Sequence, residues 1–153
     1  MTIFYETANF IIRSVDHPLV DRREGGHIKI LPKVWVSDRT RLSPKLAIEY
    51  MKLSMVAGEA LKAVLTKRGV EIGIINYQDM GNWSVLAPEG PHLEMHIFGR
   101  AKTATKQKYG DAVFLPHKES GFYDGFQSVD EEDMRQLKGE IERLLKTPKY
   151  SSF

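Results

Sequence analysis

The chain has 153 residues, a formal net charge of +2 and no cysteine. This length predicts a single domain spanning 1–153, large enough to fold without disulfide bonds. The lack of cysteine excludes thiolate metal sites, and the weak charge gives no indication of a nucleic-acid partner. The N-terminus resembles no signal peptide, and no apolar run is long enough to span a bilayer. We therefore expect a cytoplasmic protein with no membrane partner.

Two strands are predicted ahead of the first helix. Residues 10–15 form an apolar run, and residues 27–32 alternate in polarity up to Pro32, where a strand is expected to stop. The pair Gly25 and Gly26 predicts a turn just before the second strand. Residues 34–36 predict a short extended piece after it.

The long helix has the clearest signals in the chain. Ser43 is a favourable N-cap, and Pro44 occupies the first helical position, where its missing N–H costs nothing. Apolar residues then recur every three or four positions, which is typical of a helix with one buried face. Gly69 follows the last of them and predicts the C-terminal stop.

The remaining elements are predicted from apolar runs, turn residues and caps. In chain order they are a strand at 70–76, a loop at 77–90, a strand at 91–98, a short strand at 112–115 and a helix that opens with a capping box at Ser128 and Glu131 and ends before Pro148. Strands on both sides of one long helix favour an α+β fold with an antiparallel sheet.

One strand concentrates the chemistry of the chain. His92, Glu94 and His96 alternate along it, and alternate side chains of a strand point to the same face. Two imidazoles and a carboxylate on one face are suited to acid–base catalysis, to phosphate binding or to holding a metal ion. A polar strand face open to solvent is the simpler alternative.

Three segments resemble, in the same order, motifs of the histidine triad family of nucleotide hydrolases and transferases. They are Gly26–Lys33 (a Gly-His strand ending in Pro-Lys), Ile74–Asn76 (a strand ending in Asn) and His92–Phe98 (the alternating triad). The resemblance covers a core at about 10–100 and leaves a C-terminal extension at about 101–153. It implies a five-stranded antiparallel sheet with one long helix, to which this chain adds a C-terminal helix, and a homodimer.

The resemblance also implies a ligand and roles for residues. The ligand is a nucleotide or nucleotide conjugate, no cofactor is expected, and the central histidine of the triad attacks the α-phosphate. Here that position is Glu94, which would act as nucleophile or as general base on water. The flanking His92 and His96 would donate a proton and stabilise phosphate charge, with support from His27.

Phosphate contacts are expected from Asn76, from Ser84 in the following loop, and from Arg100 in the basic stretch after the triad. A carboxylate for the ribose hydroxyls would come from Asp16 or Asp21, and the sequence does not choose between them. Trp83 is a candidate for stacking on the base. The aromatic segment 121–126 predicts either a core plug or a lid on the base.

Glu94 leaves three functions open. The first is a hydrolase or nucleotidyl transferase acting on a phosphoanhydride or phosphoramidate bond with an atypical triad. The second is a nucleotide-binding protein that has lost catalysis. The third is a metal-dependent enzyme that uses His92, Glu94 and His96 as ligands. A negative Glu94 repels phosphate, so protonated His92 and His96, or a metal ion, would be needed to offset that repulsion.

Overall fold

A computed structural model describes all 153 residues as an antiparallel five-stranded sheet flanked by helices, which confirms the predicted α+β class. The strands lie in the order β1-β2-β3-β5-β4. Their bounds are β1 Ile3–Glu6, β2 Phe10–Ser14, β3 His27–Pro32, β4 Ile72–Met80 and β5 Glu94–Ala101. The helices are α1 Pro44–Lys67, α2 Glu131–Leu145 and the single turn α3 Pro148–Ser151.

Helix α1 forms as predicted and covers one face of the sheet. The Ser43 hydroxyl accepts a hydrogen bond from the backbone N–H of Leu46 at 3.4 Å, and Pro44 occupies the first turn. The inner face of α1 packs on odd-numbered residues of β5, Met95 and Ile97, in the main core. The even-numbered residues of β5 therefore face the other side of the sheet.

The other side of the sheet is covered in part by the segment between β5 and α2. The carboxylate of Glu24 holds this segment by accepting backbone N–H groups of Thr105, Lys106 and Gln107 at 2.8–2.9 Å. The buried Gln107 side chain then pairs with both backbone groups of Phe114. The predicted strand at 112–115 is therefore wrong, because a side chain rather than a neighbouring strand satisfies its polar groups.

Several boundaries differ from the prediction. Strand β1 was not expected, and residues 34–36 form no strand. Strand β4 continues to Met80, so the loop after it begins four residues later than predicted. Strand β5 begins only at Glu94. His92 consequently lies just outside the strand on which its alternation with Glu94 was based.

The cap of α2 also lies two residues further along. Asp130 and Asp133 form a reciprocal capping box, with backbone N–H groups donating to each carboxylate. Ser128 was predicted as the cap, but its hydroxyl donates to the carbonyl of Val15 instead. None of the helices combines the length and apolarity needed to cross a membrane.

Candidate functional site

A cavity of about 820 Å³ opens on the sheet face opposite α1. Its floor comes from β2, β3 and β5, and its walls come from the loops after β2, β3 and β4 and from the C-terminal extension. The polar lining includes Arg13, His17, His27, Lys29, Asn82, Ser84, His92, Glu94 and His96. The apolar and aromatic lining includes Val15, Leu19, Leu31, Trp35, Met80, Trp83, Leu115 and Tyr123.

A chain of hydrogen bonds fixes the tautomers of two buried histidines. The backbone N–H of Leu19 donates to Nδ1 of His27 at 3.1 Å, so Nε2 of His27 carries the proton. That nitrogen lies 2.9 Å from Nδ1 of His96, which must accept. Nε2 of His96 therefore carries a proton and points at Oε2 of Glu94, 3.3 Å away. These assignments follow from the network of partners.

Both histidines are neutral at physiological pH. Burial lowers the pKa of His27 well below its ordinary value, and repulsion from His96 and Lys29 adds to the effect. Burial also lowers the pKa of His96, and its hydrogen bond to Glu94 offsets only part of that shift. Neither imidazole can therefore supply positive charge to a bound phosphate without an energetic cost.

Glu94 lies among donors that keep it ionised. Its carboxylate accepts from Nζ of Lys29 at 2.7 Å, and Nη2 of Arg13 lies 3.6 Å away. Burial by itself would raise the pKa of Glu94. Hydrogen bonds from His96 and Lys29 together outweigh burial and lower the pKa to about 2. Glu94 is thus a paired, half-buried anion, and Lys29 and Arg13 compensate for its negative charge. The sequence had suggested protonated His92 and His96, or a metal ion, in this part, and His96 is neutral.

Two glycines let β3 and β5 approach closely enough to bring His27 against His96. A Cβ atom on Gly25 would lie 2.0 Å from the carbonyl oxygen of Gly99, and a Cβ on Gly99 would lie 2.0 Å from that of Gly25. Gly25 also has a φ of 135°, which other residues rarely adopt. These residues bracket the histidine pair, because Gly25 precedes His27 by two positions and Gly99 follows His96 by three.

Aromatic side chains stand at the cavity mouth. The exposed ring of Trp35 stacks on His92 with 4.4 Å between centroids. Trp83, in the loop after β4, and Tyr123, in the C-terminal extension, also line the cavity. In the segment 121–126 the aromatic rings pack edge to face on one another and Tyr123 lines the cavity, while its role as a lid on a base stays a prediction. Trp35 was missed in the sequence because it lies in a loop outside every motif.

The structure gathers five of the seven predicted site residues. His27, His92, Glu94, His96 and Ser84 all line the cavity, and Ser84 donates its hydroxyl to the carbonyl of Gly81 at 2.9 Å. Lys29 and Arg13 were missed. Each belongs to a separate strand, and only the register of the sheet brings them beside Glu94.

Asn76 and Arg100 lie outside the cavity, further along the same face. The Arg100 guanidinium donates to the Asn76 side chain at 2.7 Å and to the backbone carbonyls of Lys108 and Asp111. Both residues border a separate depression. This placement gives no support to the expectation that Asn76 and Arg100 contact a phosphate bound among the histidines.

Neither candidate for the ribose carboxylate lines the cavity. Asp21 is buried and bonded to Arg23, and Asp16 pairs with the N-terminal amine. The metal alternative also finds no support, because the structure contains no group of three or more His, Asp or Glu side chains arranged to hold a metal ion. His92 lies outside the strand, and Lys29 already occupies one oxygen of Glu94.

Comparison with known proteins assigns the architecture. No protein-family model and no curated protein sequence matches the chain. Among solved structures, a hypothetical histidine triad nucleotide-binding protein from Sulfolobus tokodaii is similar with a TM-score of 0.60 and 17% identity, over 94% of this chain and 85% of that one. A histidine triad protein from Bradyrhizobium japonicum gives 0.59 and 16%, over 93% and 88%.

A histidine triad protein from Marinobacter aquaeolei gives a TM-score of 0.59 and 15% identity, over 95% of this chain and 88% of that one. Structural similarity at identities this low establishes the fold and leaves the activity open. The similarity spans nearly the whole chain, including the C-terminal extension that the sequence motifs do not reach. The chain therefore has the fold of the histidine triad proteins.

Proposed function

We propose that this protein is a nucleotide-binding member of the histidine triad family and that the cavity takes the nucleoside monophosphate unit of its ligand. The observation that carries the proposal is the composition of the cavity. Its floor offers two cations and polar side chains suited to a phosphate, and its mouth offers Trp35 and Trp83, which are suited to a base. The volume of about 820 Å³ lies within the range of small-molecule sites.

Binding is tested by isothermal titration calorimetry of the purified protein with AMP, GMP, CMP and UMP at physiological salt. We expect at least one monophosphate to bind at one site per chain with micromolar affinity. Absence of heat and of thermal stabilisation with all four, at millimolar concentrations, would contradict the proposal.

A second candidate function is hydrolysis or nucleotidyl transfer at a phosphoanhydride or phosphoramidate bond. It is favoured by the ionised Glu94 beside the Nε2–H of His96. A carboxylate oxygen would attack the α-phosphorus as the bond to the leaving group breaks, and the Nε2–H of His96 would stabilise the departing group by a hydrogen bond while solvent supplies any proton that this group takes up. Water would then attack the phosphorus of the mixed anhydride and break its bond to the Glu94 oxygen, releasing the monophosphate, the free Glu94 carboxylate and a proton to solvent.

The hydrogen bonds that lower the pKa of Glu94 also reduce its strength as a nucleophile and as a base. We therefore rank binding ahead of turnover. Denaturing mass spectrometry after incubation with dinucleoside polyphosphates and phosphoramidates, with and without divalent metal, distinguishes the two. A nucleotidyl adduct that is absent in Glu94→Gln would favour turnover, and unmodified protein with intact substrates would favour binding alone.

We also propose that the chain pairs as a homodimer through the free edge of the sheet. Strand β4 is bonded to β5 on one side only, and it exposes Ile74 and Tyr77. An exposed apolar edge strand is a common site of pairing. Light scattering coupled to size exclusion should give a dimer for the wild type and a monomer for Ile74→Lys. A monomeric wild type would contradict this part of the proposal.

A further inference from the structure

The row of side chains across the cavity floor carries an unbalanced positive charge. Arg13 of β2 lies directly opposite Lys29 of β3, which in turn lies opposite His96 of β5. Like charges at directly opposed positions of a sheet repel each other and normally destabilise it. A sheet that keeps such a pair needs a nearby anion to compensate for both charges.

Glu94 compensates for only part of this charge. Its carboxylate binds Lys29 at 2.7 Å and reaches Arg13 at 3.6 Å, and no other carboxylate side chain lines the cavity. Two cations against one anion leave a net charge of about +1 on the floor. Arg13 also has an unsatisfied donor on this floor, because its Nε is buried without a hydrogen-bond partner.

The imidazoles cannot take the place of these cations. The histidine pair is buried and its tautomers are fixed by the amide of Leu19, so protonating either ring would break a hydrogen bond within the chain. Lys29 and Arg13 are the only lysine and arginine side chains that line the cavity, so an anionic ligand on the floor would meet both.

We propose that Lys29 and Arg13 are the phosphate-binding cations of this cavity and that Glu94 is a positioning residue that holds both of them toward the ligand. This inference rests on the proposed nucleotide-binding function and specifies how that site recognises its ligand. It also explains why a carboxylate occupies the central position of the triad. Glu94 permits two like charges to stand side by side on neighbouring strands.

The test compares variants by calorimetry with AMP, adenosine and inorganic phosphate. Replacing Lys29 by Met should weaken AMP about 10- to 100-fold, since hydrogen bonds to charged groups contribute about 1.5–3 kcal/mol. Arg13→Met should also weaken AMP, and adenosine should bind both variants as it binds the wild type. Lys33→Met is the matched control, because Lys33 pairs with Glu6 at the end of the same strand and does not line the cavity.

Glu94→Gln provides the opposite change. It removes the only anion from the floor while it keeps a hydrogen-bond acceptor for Lys29, so AMP should bind several-fold more tightly. Wild-type affinity of Lys29→Met for AMP, or weakening by Glu94→Gln as large as that by Lys29→Met, would overturn the inference. Thermal unfolding of each variant establishes that it is folded.

Inorganic phosphate separates this inference from the proposed function. If the wild type binds phosphate while Lys29→Met does not, the inference holds even when no nucleotide binds, and only the proposed nucleotide ligand fails. If the wild type binds nucleotide and Lys29→Met binds it equally well, the proposed function holds and the inference fails. If the wild type binds neither, both fail.

Discussion

Lys29 and Arg100 are cations on the same face of the same sheet, yet their surroundings give them different roles. Arg100 is 2% exposed, and its guanidinium donates to Asn76 and to carbonyls of the loop at 107–111. Lys29 lines an open cavity, where its partner Glu94 is shared with Arg13. A cation whose guanidinium is bonded to a side chain and to several backbone carbonyls holds the fold together, whereas a cation in an undercompensated pair remains available to a ligand.

The largest expected effect is a difference in unfolding free energy between variants of Arg100 and of Arg13. Replacing Arg100 by Met leaves several backbone carbonyls without their donor, each costing about 1–3 kcal/mol when buried. We expect the free energy of unfolding to fall by about 3 kcal/mol or more in urea titrations. Arg13→Met should change it by less than about 1 kcal/mol, because that change also relieves repulsion of Lys29. Equal losses of unfolding free energy in both variants would contradict the claim that Arg100 stabilises the fold more than Arg13 does.

The next effect concerns the histidine chain beneath the cavity. His27→Leu deprives the N–H of Leu19 and the Nδ1 of His96 of their partners in a buried site. Urea titration should show a loss of about 2 kcal/mol or more. His117→Leu is the control, since His117 is exposed and outside the cavity lining and loses only one surface hydrogen bond, from the N–H of Glu119, and it should cost less than about 1 kcal/mol. An unchanged stability of the His27 variant would show that the chain of hydrogen bonds contributes nothing.

Stability should also fall as the pH falls from 7.5 to 5.5. Burial lowers the pKa of both His27 and His96 in the folded state, so the unfolded chain takes up protons first, at about pH 6.5. One unit below that value, each histidine contributes a loss of at most about 1.4 kcal/mol. Glu94 does not act in this window, because its pKa is lowered to about 2 and its contribution is lost only below about pH 4.5.

The measurement is the unfolding midpoint in urea at pH 7.5, 6.5 and 5.5 for the wild type and for His27→Leu. The variant should lose the part of the pH dependence that belongs to His27, so its curve should be shallower. An equally steep curve in the variant would assign the pH dependence to other groups.

The smallest expected effect concerns the mouth of the cavity. Trp35→Ala removes the ring that stacks on His92 and would meet a base. Stacking of a base on an aromatic ring contributes about 1–3 kcal/mol, so AMP should bind at least about 5-fold more weakly. Val34→Ala is the matched control, since Val34 is similarly exposed but does not line the cavity. Equal AMP affinity in both variants would remove Trp35 from the site.

Local signals accounted for much of the fold. The cap at Ser43, the proline at Pro44 and the apolar periodicity predicted α1 almost to the residue, because all of them act within one helix. Strand β3 was predicted equally well by its alternation and its terminal proline. Strand β1 escaped prediction because it is short and lies at the edge of the sheet, where pairing with β2 decides its structure.

The site could be predicted only in part, for geometric reasons. His92, Glu94 and His96 are close in sequence, so their convergence needed little knowledge of the fold. Arg100 lies four residues beyond His96, which is about 13 Å along a strand, and this carries it past the cavity. Arg13 and Lys29 become neighbours only through the register of β2 with β3, which the sequence does not state.

The most direct test of the account is a crystal structure of the wild-type protein with AMP bound. We predict that the phosphate lies within hydrogen-bond distance of Lys29 Nζ and of the Arg13 guanidinium, with the adenine near Trp35 or Trp83. AMP seated instead in the depression beside Arg100, or a cavity that stays empty at saturating AMP, would contradict the account.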